Sequence, residues 1–112
     1  MKKINTLAAL ALTALTALSA TAVHADEAAQ MARGKELFTT SAVPACALCH
    51  TLKDAGTEGA IGPVLDELQP DAARIARAMR DGIGSMPSFK ATMSEDDIAA
   101  VALYVSKASR IK

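Results

Sequence analysis

The chain has 112 residues with 12 basic and 12 acidic side chains, and its aromatic residues are Phe38, Phe89 and Tyr104. A chain of this length forms one domain, and so small an aromatic content leaves a small core that needs a further stabilising element. The balanced charge, without a basic stripe, argues against nucleic acid as a partner.

The N-terminus has the pattern of a secretory signal peptide. Two lysines precede an apolar stretch at residues 7–18, and a cleavage site with small or branched residues at its −3 and −1 positions ends at Ala25. The alternative, an uncleaved membrane anchor, is disfavoured because the stretch is short for a bilayer span and contains hydroxyl side chains. We therefore predict a cleaved signal peptide over 1–25 and one mature domain over 26–112, with no membrane span after cleavage.

The mature chain has mainly helical patterns. In chain order, helix or helical turns are predicted at 27–38, 46–52, 66–69 and 70–81, with loops at 39–45, 53–64 and 84–92 and a last helix after residue 94. Pro70 suits the first position of its helix and Gly82 suits the stop. Ser94 and Asp97 have the spacing of a capping box for the last helix. No segment alternates with period two over a useful length, so we predict no substantial sheet.

The strongest motif is Cys46-Ala47-Leu48-Cys49-His50. C-x-x-C-H is the attachment pattern of haem c. Residues three apart in a helical turn share one face, so two thiols there reach the two vinyl groups of one haem. The next residue, His50, then projects its imidazole toward the iron from the same side. The motif predicts one covalent haem c with His50 as an iron ligand.

Three other interpretations of the cysteine pair remain. An exported chain allows a structural disulfide. A thioredoxin-like redox pair also uses C-x-x-C, but that fold needs a sheet. A closed zinc site needs four ligands, and after His50 the mature chain has no further Cys or His to supply the fourth.

A second iron ligand is expected from Met86. His and Met form the usual axial pair of electron-transfer cytochromes. Met86 is followed by Pro87, which stiffens the loop, and preceded by glycines that let the backbone approach a macrocycle. Met79 and Met93 have core or capping interpretations, and Met86 itself has the alternative of simple loop packing.

The segment Gly62-Pro63 is expected to support His50. A metal-bound histidine usually donates its other ring N–H to an acceptor, which fixes the tautomer. Pro63 has a carbonyl and no N–H, so it can only accept. We predict a hydrogen bond from His50 Nδ1 to the Pro63 carbonyl, with Gly62 leaving room for the ring. The alternative is that these two residues form only a turn.

These motifs, in this order, resemble class I monohaem cytochromes c over nearly the whole mature chain. The resemblance includes the Gly-Pro-x-Leu segment that ends at Leu65 and the Gly-x-Met-Pro segment around Met86. It implies an all-α fold, the small cytochrome c fold, in which helices and loops wrap one covalent haem and the N- and C-terminal helices cross. Gly62, Pro63 and Leu65 would support the haem pocket. The four remaining positions of the match are Gly34, Phe38, Val101 and Tyr104. The resemblance implies that Gly34 and Phe38 on the first helix pack against Val101 and Tyr104 on the last helix.

The stretch around the motif is also similar to the small cytochrome subunits of bacterial sulfite dehydrogenases. The resemblance implies a periplasmic single-electron carrier rather than an enzyme. Its partners would be a donor dehydrogenase, such as a sulfite-oxidising one, and an acceptor such as another cytochrome or a terminal oxidase. The alternative is a haem subunit bound stably to a dehydrogenase. A haem sensor or enzyme with an open sixth position and a thiol–disulfide oxidoreductase are less favoured.

Overall fold

The computed structural model describes residues 22–112, so most of the predicted signal peptide lies outside the described residues. The helices are α1 (22–36), α2 (Leu65–Leu68), α3 (Ala72–Asp81) and α4 (Glu95–Ala108). A π-helical turn at Leu37–Ser41 continues α1, and 3₁₀ turns cover Cys46–Leu48 and Lys53–Ala55. None of the helices formed by residues 22–112 combines the length and the hydropathy that a bilayer span requires.

The first and last helices cross at Gly34, as the resemblance implied. A Cβ atom on Gly34 would overlap the carbonyl oxygen of Ala100 and lie 2.6 Å from Tyr104 Cβ. One turn further on, the rings of Phe38 and Tyr104 pack edge to face, with centroids 6.0 Å apart and planes at 65°. Only glycine permits this approach of two backbones, and the aromatic pair then closes the contact.

The apolar core is built on the inner face of α4. Ile98, Val101, Tyr104 and Val105 are all buried there, and Phe38 packs against them from the turn after α1. These positions recur at helical spacing, which is why the sequence shows an apolar stripe. The fold confirms the all-α prediction.

The start of α4 confirms one half of the predicted capping box. Ser94 Oγ accepts a hydrogen bond from the Asp97 N–H at 3.1 Å. The other half is wrong, because the Asp97 carboxylate accepts two hydrogen bonds from Arg33 of α1, at 2.9 and 3.1 Å. A bidentate, charge-assisted pair outcompetes a single bond to the local backbone once the helices cross.

Helix α3 begins later than the sequence predicts. Asp71 Oδ1 accepts from the Arg74 N–H at 2.8 Å and caps the helix, so Pro70 precedes it instead of occupying its first position. The helix ends as predicted at Gly82, which has a φ of +70° and donates its N–H to the Ala78 carbonyl. The Asp71 carboxylate accepts a hydrogen bond from a backbone N–H of the first helical turn that has no partner within the helix. Proline at the first helical position would only remove one such N–H and would provide no acceptor.

A short antiparallel ladder follows the cysteine motif. Strand β1 (Thr51–Leu52) pairs with β2 (Thr57–Glu58), in a region that the sequence assigned partly to a helical turn and partly to an irregular loop. Two residues per strand are too few for an alternating pattern, so the sequence carried no signal for it. Within residues 22–112 the β structure consists of this ladder and an isolated bridge between Ile83 and Met86.

Candidate functional site

The core opens into an apolar cavity of ≈ 390 Å³ between the motif, α3 and the loop that follows α3. Every site residue predicted from the sequence lines this cavity, namely Cys46, Cys49, His50, Gly62, Pro63, Leu65 and Met86. Phe38, Val101 and Val105 form its floor and continue into the buried core. The structure therefore brings together predicted site residues that are up to 40 positions apart in the sequence, from Cys46 to Met86.

The cysteine motif forms a tight turn against the cavity. Within the turn at Cys46–Leu48, the N–H groups of Cys49 and His50 both donate to the Cys46 carbonyl, at 3.1 and 3.0 Å. Gly59 crosses this backbone so closely that a Cβ atom would lie 2.5 Å from Cys49 C and from His50 N. The turn brings Cys46, Cys49 and His50 to the lining of the same cavity.

The His50 ring is held by the loop that carries Gly62 and Pro63. Its Nδ1 lies 2.8 Å from the Pro63 carbonyl oxygen, so the hydrogen bond predicted from the sequence is present. A Cβ atom on Gly62 would lie 2.5 Å from His50 Cε1 and 2.8 Å from Nδ1, which explains the glycine. Because a carbonyl can only accept, Nδ1 is the donor in this bond, and in the neutral imidazole this tautomer leaves the lone pair on Nε2.

The backbone around Met86 is fixed by a tight turn. Ile83 and Met86 exchange two hydrogen bonds, N–H to carbonyl, at 3.1 and 2.9 Å. The turn is joined to α3, since the Phe89 N–H donates to the Met79 carbonyl at 2.7 Å and the Ser88 hydroxyl donates to the Arg80 carbonyl. A Cβ atom on Gly82 would lie 2.9 Å from the Met86 carbonyl oxygen. Gly82 therefore permits close packing of this turn against the end of α3, and the approach of the glycines to a macrocycle stays a prediction.

Several cavity residues were not predicted as site residues from the sequence, and Met79 and Arg74 are two of them. Met79, which was assigned to the core, is fully buried and also lines the cavity. Arg74 lies one helical turn before Ala78 on the cavity side of α3. Arg74, Ile75 and Met79 have the spacing of one face of an amphipathic helix. The sequence pattern alone does not indicate that this face meets a cavity.

The environment of Cys46 bears on the thiol-exchange alternative. Burial raises the pKa of the Cys46 thiol to about 11. Thiol–disulfide oxidoreductases depend on a lowered thiol pKa, because the thiolate is the nucleophile. The cavity therefore disfavours an exchange reaction that begins at Cys46.

Comparison with known proteins gives two findings. Residues 29–105 match the family model described as cytochrome c oxidase, cbb3-type, subunit III. The crystal structure of the c-type cytochrome SorU from Sinorhizobium meliloti is similar to this fold with a TM-score of 0.69 and 49% sequence identity. The similarity covers 71% of this chain and 91% of the SorU chain. This chain therefore belongs to the c-type cytochromes, electron-transfer proteins that carry a covalently bound haem c.

Proposed function

We propose that this cytochrome is a single-electron carrier of the bacterial periplasm, with its haem bound to Cys46 and Cys49 and its iron ligated by His50 and Met86. The observation that carries the proposal is the arrangement around one cavity. Two cysteines and an oriented imidazole line this cavity, and a methionine held in a closed turn also lines it.

The residues fit a haem group. The cavity is apolar, as a porphyrin face requires, and its volume is within the usual range for buried ligands. Imidazole nitrogen and thioether sulfur are both established iron ligands in cytochromes. The Gly62 backbone leaves space for the imidazole where any larger residue would displace it.

The side chains have separable tasks in this proposal. When bound, the haem iron supplies a one-electron couple. Pro63 fixes the His50 tautomer and orientation, and such outer hydrogen bonds raise the basicity of the ligand. A Met86 thioether on the iron raises the reduction potential. Phe38, Val101 and Val105 keep water away from the inner side of the cavity.

The cellular setting of the proposal rests on the sequence. Residues 1–25 have the pattern of a secretory signal peptide, and the mature domain would be 26–112. The resemblance to sulfite dehydrogenase cytochromes favours a sulfite-oxidising donor, with another cytochrome or a terminal oxidase as acceptor. A haem subunit bound stably to a dehydrogenase is the second candidate, and copurification from the native host distinguishes it from a free carrier.

Optical spectroscopy of matched methionine variants tests the ligation. Met86 and Met79 both line the cavity, so each is replaced by leucine, which keeps the volume but cannot bind iron. We expect the weak long-wavelength band of a thioether–iron bond in the oxidised wild type and in Met79→Leu, and its loss in Met86→Leu. Retention of the band in Met86→Leu together with its loss in Met79→Leu would assign the ligand to Met79 instead.

A further inference from the structure

Arg74 is an exception in the wall of the haem cavity. Among the described residues that line the cavity, no other is an aspartate, glutamate, lysine or arginine. Apolar side chains form most of the remaining wall. The residue as a whole is exposed, so its guanidinium belongs to the mouth of the cavity. It also lines a neighbouring pocket of ≈ 260 Å³ together with Arg77 and Asp81.

The Arg74 guanidinium forms no ion pair with a carboxylate within the described part of the chain. Arg33 and Arg80 form ion pairs with carboxylates, and Arg110 binds backbone carbonyls. The neighbouring Asp71 carboxylate accepts a hydrogen bond from the Arg74 backbone N–H, and the Arg74 guanidinium has no hydrogen bond or ion pair among residues 22–112. A free guanidinium at the mouth of an apolar cavity is a site for an anion that the chain itself does not supply.

We propose that Arg74 is a positioning residue that binds the carboxylate edge of the haem. The inference rests on the binding of haem in this cavity. A haem is apolar over most of its surface but has two carboxylate side chains at one edge. Burial of a carboxylate without a partner is costly, so that edge belongs at the mouth, next to a cation. A planar guanidinium matches a carboxylate with two parallel hydrogen bonds, which fixes orientation as well as charge.

This role of Arg74 has an electrostatic effect on the reduction potential of the iron. A cation at the cavity mouth disfavours the more positive, oxidised state of the iron and keeps the neighbouring carboxylate ionised. The other ionisable groups that line the two cavities are His50, the two cysteines, Arg77 and Asp81. Arg77 has the same charge and helix as Arg74 but does not line the haem cavity, which makes it the matched control.

The experiment compares midpoint potentials from pH 5 to pH 9 for the haem-loaded wild type and for Arg74→Gln, Arg74→Lys and Arg77→Gln. We expect Arg74→Gln to favour the oxidised state by a factor of about three to ten, where tenfold is about 59 mV for one electron. Its potential should also fall more steeply with pH, because the carboxylate pKa rises without its partner. Arg74→Lys keeps the positive charge, so it should shift the potential in the same direction but by less. It also keeps the test valid if Arg74→Gln does not take up haem.

An equal potential and pH profile in wild type, Arg74→Gln and Arg77→Gln would overturn the role of Arg74. So would an equal shift in Arg74→Gln and Arg77→Gln, since that result indicates only general surface charge. Either outcome leaves the proposed carrier function standing if the wild type shows a reversible one-electron couple. Absence of covalent haem from the wild-type protein, seen in its mass, would remove both proposals.

Discussion

Tyr104 of α4 donates its hydroxyl hydrogen bond to Asp54 Oδ2 at 2.7 Å. Asp54 lies in the 3₁₀ turn between the two short strands, and the same carboxylate oxygen accepts from Lys35 of α1 at 3.2 Å. Three separate parts of the chain therefore meet at one carboxylate. Two of them are the crossing helices α1 and α4, and the third is the segment that follows the cysteine motif.

Replacement of Tyr104 by phenylalanine should weaken the fold without disturbing the aromatic packing against Phe38. The variant loses one hydrogen bond to a charged group, so we expect the free energy of unfolding at pH 7 to fall by about 1–3 kcal/mol. Denaturant unfolding of the haem-loaded protein measures this, with the haem absorption as a second signal. A change below about 0.3 kcal/mol would mean that Asp54 is equally well solvated without Tyr104.

The same variant should show a smaller defect in acid. The Tyr104 hydroxyl and Lys35 hold the pKa of Asp54 below its usual value in the folded protein, so the stability they supply is complete above the unfolded pKa of about 3.9. It is lost as the pH falls through the lower, folded pKa. The difference in unfolding free energy between wild type and Tyr104→Phe should therefore shrink between pH 5 and pH 2. A constant difference over that range would contradict the assignment to ionised Asp54.

Replacement of Gly62 by alanine should specifically disturb the proposed bond between His50 and the haem iron. The added methyl group would lie within 3 Å of three atoms of the His50 ring, so either the ring or the Pro63 loop must move. Loss of such outer contacts typically costs about 10- to 100-fold in metal affinity. We expect a high-spin component in the optical spectrum and faster carbon monoxide binding by the reduced protein.

Ala60→Ser is the control for that variant, because Ala60 is an exposed neighbour in the same loop. It should keep the wild-type spectrum. A wild-type spectrum in Gly62→Ala as well would show that the loop relaxes without cost to the histidine.

The sequence predicted the parts of the fold that depend on local chemistry. The Gly82 stop and the Ser94 cap are decided within one turn of helix, and both are present. One prediction that failed, the second half of the capping box, depends on a tertiary partner. Asp97 left its predicted local bond because Arg33 of a crossing helix offers a stronger one.

The same division holds for the site. The C-x-x-C-H spacing and the accepting carbonyl of Pro63 follow from residue chemistry, and they predicted the His50 contact correctly. Arg74 and Met79 could not be assigned in this way, because both lie on an ordinary amphipathic helix. Only the packing of α3 against α4 shows that this face meets the cavity.

Replacement of Gly34 by alanine should destabilise the helix crossing. A methyl group at this position overlaps the Ala100 carbonyl, and α1 and α4 must separate to accept it. Overpacking of this kind costs about 1–3 kcal/mol, more than the small gain from better helix propensity. Ala32→Ser, at an exposed position of the same helix, is the matched control and should stay within about 0.5 kcal/mol of wild type. Equal stability of Gly34→Ala and wild type in guanidinium unfolding would contradict the observed crossing.

Replacement of Arg110 by glutamine should loosen the segment between α2 and α3. Its guanidinium donates to the Gln69 carbonyl at 2.7 Å and to the Pro70 carbonyl at 3.2 Å, and Pro70 lines the apolar cavity. Because the group is partly exposed, we expect a loss of only about 1 kcal/mol in global stability. Amide exchange at α2 should rise more than exchange at the α1–α4 crossing, since the bond restrains a local segment. Lys112→Gln removes a nearby charge without these contacts, so a similar exchange pattern in both variants would assign the effect to charge rather than to the hydrogen bonds.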